Sequence, residues 1–552
     1  MKKRLLPLLC ASALALALTA CGAQQTTQTG ITDAVALTFT DSGITAQDGT
    51  AGYEIDGTAL TITESGIYAV SGSCADGTIQ IKKGTTGVTL ILNGLDLTSG
   101  DSAAITCGKS GEVTILAADG TQNALSDTEQ NNDDNYPDNS DAENAVIKCK
   151  DGSAVTLGGT GALTVTANGK NGIKSGAATE EDGEASLTIR DLTLHIDAPV
   201  NDAINAEQLL NVESGTLTID AADDAIHCDM ILNIGADGSD GPTIDITSCY
   251  EGLEGAELNV LSGNITINAS DDCMNATNSD LTGYAFTLTI SGGTIDAYGS
   301  SGDGFDSNGD LTITGGTVVV WTANTADNEP LDADGTITVT GGTVLAAGGS
   351  SDMGMSLEAA QPCVIYSASS LGGTPGSAQS SSLIASGADV TIEDSGSTVY
   401  SGTARCNACF VLFSSADVMA DGTYTLKAGD SSAEGTAQSG TVSTGMGMGG
   451  GFRGGQKSDG EPPEGFDGQQ PSGEKPELRM ANVPSRPTDR EKAKMAGSLR
   501  GTTHPTQMIL IPLKLPDGRE KKSRRFAQAV CFLLSIRFYI VSKPTITPPR
   551  SA

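Results

Sequence analysis

A five-residue pattern of carboxylate, small, apolar, polar and small residues returns down the middle of this chain at intervals of 21 to 31 residues. Its clearest copies are Asp202-Ala203-Ile204-Asn205-Ala206, Asp224-Ala225-Ile226-His227-Cys228, Glu251-Gly252-Leu253-Glu254-Gly255, Asp272-Cys273-Met274-Asn275-Ala276 and Asp303-Gly304-Phe305-Asp306-Ser307. A looser copy is Glu329-Pro330-Leu331-Asp332-Ala333. Between copies runs a second pattern, Gly-x-aliphatic, at Gly215, Gly263, Gly293, Gly316 and Gly342. Its two-residue alternation predicts short strands with one buried face. No single unit can bury that face alone, so the units must stack. The expected fold is all-β, a right-handed parallel β-helix over residues 51–360. A C-terminal β cap over 361–430 protects the last edge. One Trp and 70 Gly in 552 residues suit such a repeat better than an ordinary globular core.

Stacking in register puts Asp202, Asp224, Glu251, Asp272, Asp303 and Glu329 in one column, about 4.8 Å apart. Asn205, His227, Glu254, Asn275, Asp306 and Asp332 form a second column beside it. Neighbouring carboxylates at that spacing repel by about 1 kcal/mol per pair even in water. Raised pKa values, a column of Lys or Arg, or bound cations could offset this. No Lys or Arg occurs between Arg190 and Arg405, and shared protons would cover only one or two positions. Hard divalent cations remain, and Ca2+ takes six to eight oxygens from carboxylates, amide carbonyls and water. The expected ligands are Asp202, Asp223, Asp224, Glu251, Glu254, Asp271, Asp272, Asp303 and Asp306, with the doubled acids Asp223-Asp224 and Asp271-Asp272 raising the local count. A merely solvated acidic face is the competing reading. His227 is expected to make hydrogen bonds rather than bind a hard ion. The Asn-rich stretch 123–144 reads either as another cation loop or as a disordered insertion, the latter favoured.

The same register places Cys107, Cys149 and Cys228 inward, where thiols fill space as small apolar groups. A disulfide ladder is the alternative. Cys406 and Cys409 have the spacing of a local disulfide or of plain thiols. A net charge of -37 repels nucleic acid and attracts divalent cations.

Lys2, Lys3 and Arg4 before an apolar stretch from Leu5 to Ala17 read as an export signal, 1–20. Leu18-Thr19-Ala20-Cys21 resembles the lipobox of bacterial lipoproteins, which implies a lipid on Cys21 and attachment at the extracellular face of the cell membrane. Residues 21–50 are then expected as a tether, 431–477 as a disordered linker rich in Gly, Met and Pro, and 478–552 as a basic tail resembling a non-native reading frame.

Several stretches carry a wider resemblance: Glu64-Ser-Gly66-Ile-Tyr68, Leu90-Ile-Leu-Asn93-Gly94, Asn123-Ala-Leu-Ser-Asp127, the acidic units, and Phe410-Val-Leu-Phe413 through Gly422-Thr-Tyr424. From about residue 50 to 430 the chain resembles the clostridial carbohydrate-binding domain-containing β-helix lipoproteins, which are similar in fold to calcium-dependent polysaccharide lyases. The resemblance implies calcium on Asp-rich units and a plant-type polysaccharide partner, including acidic, pectin-like chains. A uronate carboxylate could complete the coordination of a protein-held Ca2+. Lyases of this kind remove a sugar proton with Lys or Arg, and the acidic units contain neither. Lys148, Lys174 and Arg190 are the displaced alternatives. Trp321, Tyr250, Tyr284, Phe286 and Tyr298 are the aromatic candidates for sugar stacking. Binding without cleavage is the expected function, with a lyase and a non-sugar-binding adhesin or spacer as alternatives.

Overall fold

Leu187 and Ile189, Leu194 and Ile196, and Ile204 and Ala206 each stand two residues apart, and all six are buried. They occupy three short strands, Ser186–Ile189, Thr193–Ala198 and Ile204–Ala206, because alternate side chains of a strand share a face. The structure is a computed structural model that describes residues 33–46, 51–324, 328–349, 356–367 and 382–443. Each strand pairs in parallel with its counterpart in the next repeat, as Leu187 with Leu210, Leu194 with Leu217 and Ile204 with Ile226.

Three ladders result. The first runs from Leu187 through Leu210, Leu232, Leu258, Leu288 and Leu311 to Ile337. The second runs from Leu194 through Leu217, Ile244, Ile265, Ile295 and Val318 to Val344. The third holds the acidic pattern, with Ile79, Ile105, Ile147, Ile173, Ile204, Ile226, Leu253, Met274 and Phe305 in register and Leu331 joined by a single bridge. The protein is all-β, with no helix among the described residues, and 34 strands join one mostly parallel sheet around a continuous apolar core. The Gly-x-aliphatic pattern proves to be the turn into the second ladder. Gly215, Gly263, Gly293, Gly316 and Gly342 all have φ between 85 and 122, where a side chain would be strained.

Cys107 and Cys149 are register neighbours, and both are free and buried, as are Cys228, Cys406 and Cys409. Their mutual hydrogen bond and burial push the Cys107 thiol up, so it acts as a small apolar group rather than a reactive one.

The ordered chain extends past the expected limits at both ends. Val35–Thr40 and Gly43–Ala46 form a hairpin inside the segment expected as a tether, and Val35–Thr40 also pairs in parallel with Gly66–Cys74. Leu37 and Phe39 drive this by burying completely. Ser431–Thr436 and Gln438–Ser443, expected in the linker, are strands that close the cap. There the parallel pattern ends, because Phe410–Ser414 pairs antiparallel with both Thr343–Gly348 and Ser356–Ser367. A second antiparallel sheet of four strands spans residues 389–436.

The Asn-rich stretch is also ordered. Asn131 is fully buried, donates to Asp127 and the Ala145 carbonyl, and accepts from the Glu143 and Asn144 amides. The export signal, Cys21, the rest of the linker from 444 and the basic tail lie outside the described residues.

Candidate functional site

The third ladder supplies the site because the acidic turn leads directly into each of its strands, several of which are only three residues long. Ile204–Ala206, Met274–Ala276 and Phe305–Ser307 each leave their acids at the strand mouth. One column of outward residues runs Thr106, Lys148, Lys174, Asn205, His227, Glu254, Asn275 and Asp306. It passes from basic to acidic along its length.

The expected inner column is present, but much of it is not a solvated face. Asp202 and Asp224 are 4 % and 8 % exposed, and Glu329 is 7 % exposed. Their backbone relations explain the depth. Asp202 accepts the Asp224 amide at 3.2 Å, Asp272 accepts the Asp303 amide at 2.6 Å, and Asp303 accepts the Glu329 amide at 2.6 Å. Each of these carboxylates thus caps the backbone of the following unit. The polar residue three positions on holds the other oxygen, Asn205 donating to Asp202 at 2.6 Å and Asn275 to Asp272 at 3.2 Å. Asn275 also donates to Glu251 at 3.1 Å.

Burial governs the electrostatics. It pushes Asp202 and Asp224 up to about 6, with the neighbouring Asp224 adding to Asp202 and Glu254 adding to Asp224. Burial followed by repulsion from Glu254, Asp224 and Asp272 raises Glu251 well above the usual carboxylate range. Burial followed by Asp306, Asp303 and Asp271 does the same to Asp272. The upward shift therefore reaches four ladder positions, because these side chains are desolvated as well as crowded.

His227 supplies a cation that a search for Lys and Arg overlooks. Its Nδ1 lies 3.1 Å from Asp224 and 2.8 Å from Glu254, and its Nε2 lies 2.8 Å from Asp229. Burial alone would lower its pKa, but three carboxylate hydrogen bonds outweigh burial and hold the ring charged well above its usual range. The expected hydrogen-bonding role is the observed one.

The nine expected ligands consequently fall into separate sets rather than one column. Asp202, Asp223 and Asp224 bring oxygens within 4.8 Å of one another, as do Asp303, Asp306 and Asp332. Asp224 and Glu254 form a third set of that size with His227. Glu251 and Asp272 meet through Asn275, and Asp271 accepts the Tyr250 hydroxyl. Asp332 and Asp229 were missing from the expected set. Asp229 was legible as two strand positions beyond His227, hence on the same face.

Two all-oxygen sets suit a hard divalent ion, and one orphan atom favours such a fit. Asn275 is 3 % exposed and its amide nitrogen is committed to carboxylates, leaving Oδ1 without a hydrogen-bond donor. It stands in register with Asp306, beside the Asp303, Asp306 and Asp332 set. The set containing imidazolium is the poorest fit, because its cation is already in place.

Of the basic candidates, Lys148 and Lys174 are register neighbours on the column, and Lys174 donates to Asn205 at 3.0 Å. Arg190 stands at the turn between the first and second ladders and does not extend it. Among the aromatics, Trp321 is 1 % exposed and Phe286 9 %, while Tyr284 tilts against Phe286 and Tyr298 lies under Arg405. These are packing residues. Tyr250 is 40 % exposed and hydrogen-bonds through its backbone to Asp223 and Asp271, between the doubled acids.

The family model for carbohydrate-binding domain-containing protein matches residues 56–352 and 240–435. A carbohydrate-binding domain-containing protein of Acetivibrio thermocellus is 32 % identical over 166 residues, 29 % of this chain and 55 % of the relative, so the chain spans about half the length of that relative. A solved structure of the polysaccharide lyase-like protein from C. thermocellum, in its gadolinium derivative, aligns over 56 % of this chain and 92 % of its own at 23 % identity, with a TM-score of 0.29. The matched residues cover more than half of the sequence, and the chain belongs to the carbohydrate-binding domain-containing protein family.

Proposed function

We propose that this protein is a calcium-dependent polysaccharide-binding protein that recognises acidic, pectin-like glycans at the cell surface without cleaving them. In this reading the three ladders wind as a right-handed parallel β-helix closed by the C-terminal β cap. Cys21 carries a lipid that holds the protein at the extracellular face of the membrane, its only membrane contact. Family membership supports carbohydrate binding in general. The observation that carries the ion is the buried, donorless Oδ1 of Asn275, a residue in register with Asp306 of three converging carboxylates.

Asp303, Asp306 and Asp332, with Asn275, would hold one ion, and Asp202, Asp223 and Asp224 a second. Bound Ca2+ would attract the carboxylate of a uronate, reversing the sign of an otherwise repulsive face. Tyr250 offers an exposed ring at the edge of the same acids.

Replacing Asp303 and Asp306 by Asn tests this directly. The side-chain amide introduced by Asp303→Asn keeps an oxygen for the Glu329 backbone N–H, so the metal-free protein should stay folded. The Ca2+-induced rise in Tm, about 2.7 kcal/mol of stabilisation at a hundredfold excess over Kd in the wild type, should largely disappear. Retention on polygalacturonate should fall with it. An unchanged calcium response would place the ion elsewhere, and a lost Tm response with intact retention would make the ion structural. Lys148 favours a lyase as the second reading, because burial and then Lys174 hold its ammonium below the usual range. Unsaturated products from pectate and Ca2+, detected by ultraviolet absorbance, would replace binding with that reaction.

A further inference from the structure

At its N-terminal end the third ladder changes character. Thr61, Gln80, Thr106 and Lys148 continue its outward column in register. At the turn after these strands, Lys82, Gly108 and Lys150 donate their amides to Ile62, Ile81 and Cys107, so the three positions stack on successive units. Gly108 therefore sits between two lysines about 10 Å apart, two strand spacings. A Cβ there would lie 2.5 Å from the Ile81 carbonyl oxygen, so this position must be glycine and no side chain stands between the two lysines. Above it opens a cleft of about 380 Å³ lined by Lys82, Lys83, Lys109, Lys150, Thr106 and Gln80, with Glu143 the one acid of its lining.

Three of these charges are already answered, those of Lys83 and Lys109 from outside the cleft and that of Lys150 from within its lining. Asp182 lies 2.9 Å from Lys83 and 3.3 Å from Lys109, Asp151 lies 2.7 Å from Lys109, and Glu143 pairs with Lys150. Lys82 is exposed and makes no ion pair among the described residues. A chain of charge -37 that gathers four lysines around one cleft, the Lys82 ammonium unpaired among the described residues, is poised for an anion.

We infer that the lysine-lined cleft over Gly108 is a metal-independent subsite for the carboxylate of an acidic sugar unit. This rests on the reading that the ligand is an acidic glycan. It adds a second mode of recognition, direct at the basic end and through cations at the acidic end. An acidic chain lying along the column would then be gripped at two chemically distinct places.

Trigalacturonate is the probe, titrated calorimetrically into the full chain at low ionic strength with a calcium chelator present. Saturable binding is expected, absent for the carboxyl-reduced trimer and about tenfold weaker in Lys82→Gln, the loss of one charge-assisted hydrogen bond. No saturable binding under chelation, equal binding of the reduced trimer, or an unaffected Lys82→Gln with wild-type Tm would each overturn the subsite. Inorganic phosphate displacing the trimer at equal concentration would overturn its assignment to a sugar carboxylate. Retention that needs Ca2+ throughout sinks this inference and leaves the calcium reading standing. Binding under chelation with no added effect of Ca2+ does the reverse.

Discussion

Asp127 shows what burial does to a single carboxylate away from the acidic column. It is 1 % exposed and accepts the Gly169 amide at 3.0 Å and the Asn131 side chain at 2.8 Å, yet burial outweighs those bonds and pushes it up from 3.8 to about 6. An acid whose folded pKa is raised binds its proton more tightly when folded. Its contribution to stability is therefore full below pH 3.8 and lost as pH rises through about 6. In chelator, Asp127→Asn should flatten that part of the Tm profile, removing about 2 kcal/mol of the fall between these limits. A profile parallel to the wild type would show that the carboxylate stays ionised throughout. Asp127 stood in the sequence as one acid among 68, and only its place two strand positions beyond Leu125 marked it as inward. Its depth is set by Asn131 and Gly169, which lie 4 and 42 residues away along the chain.

At the scale of the strand and its turn, the small residue that leads into each strand of the third ladder, after Asn171 in one unit and after a carboxylate in the later ones, has a steric cause. It lies against a carbonyl of the following unit: Gly172 against Ala203, Gly252 against Cys273 and Gly304 against Pro330. A Cβ on Gly252 would come within 2.3 Å of the Cys273 oxygen and 2.7 Å of an Ile267 methyl. Gly252→Ala should accordingly cost about 1–3 kcal/mol in denaturant unfolding, the usual range for overpacking. A neutral result would mean that the two units separate freely. The repeat pattern already called for a small residue here, and the same position holds Ala203 and Ala225 in earlier units. That glycine is required at 252 follows only from how closely the next unit packs. The acids preceding this position were legible for the same reason as the strands, since both recur with the unit. Their division into converging all-oxygen, imidazolium-bound and amide-bound sets was not, because it turns on single residues such as His227 and Asn275 reaching across units.

For the molecule as a whole, the ends decide whether a long parallel stack stays soluble, since every unpaired edge can recruit another chain. Phe410–Ser414 closes one end by pairing with two strands at once, and Phe413 is fully buried with its ring centre 5.6 Å from that of Tyr400. Phe413→Ala should cost about 3–5 kcal/mol and lower the Tm. Light scattering should rise on warming before the rest of the protein unfolds. Scattering that follows global unfolding would show that the cap does not guard the edge. Arg405 ties this end back to the second ladder through Asp296 and its stacking on Tyr298. The sequence by itself determined the all-β class, the register of the acidic column and the positions of the turns, because a repeat writes the same local physics many times over. Tertiary structure alone decided which carboxylates are buried, how far order extends at each end, and that lysines from separate turns meet over Gly108. Those outcomes depend on contacts between residues tens of positions apart, and neither periodicity nor composition encodes the distances involved.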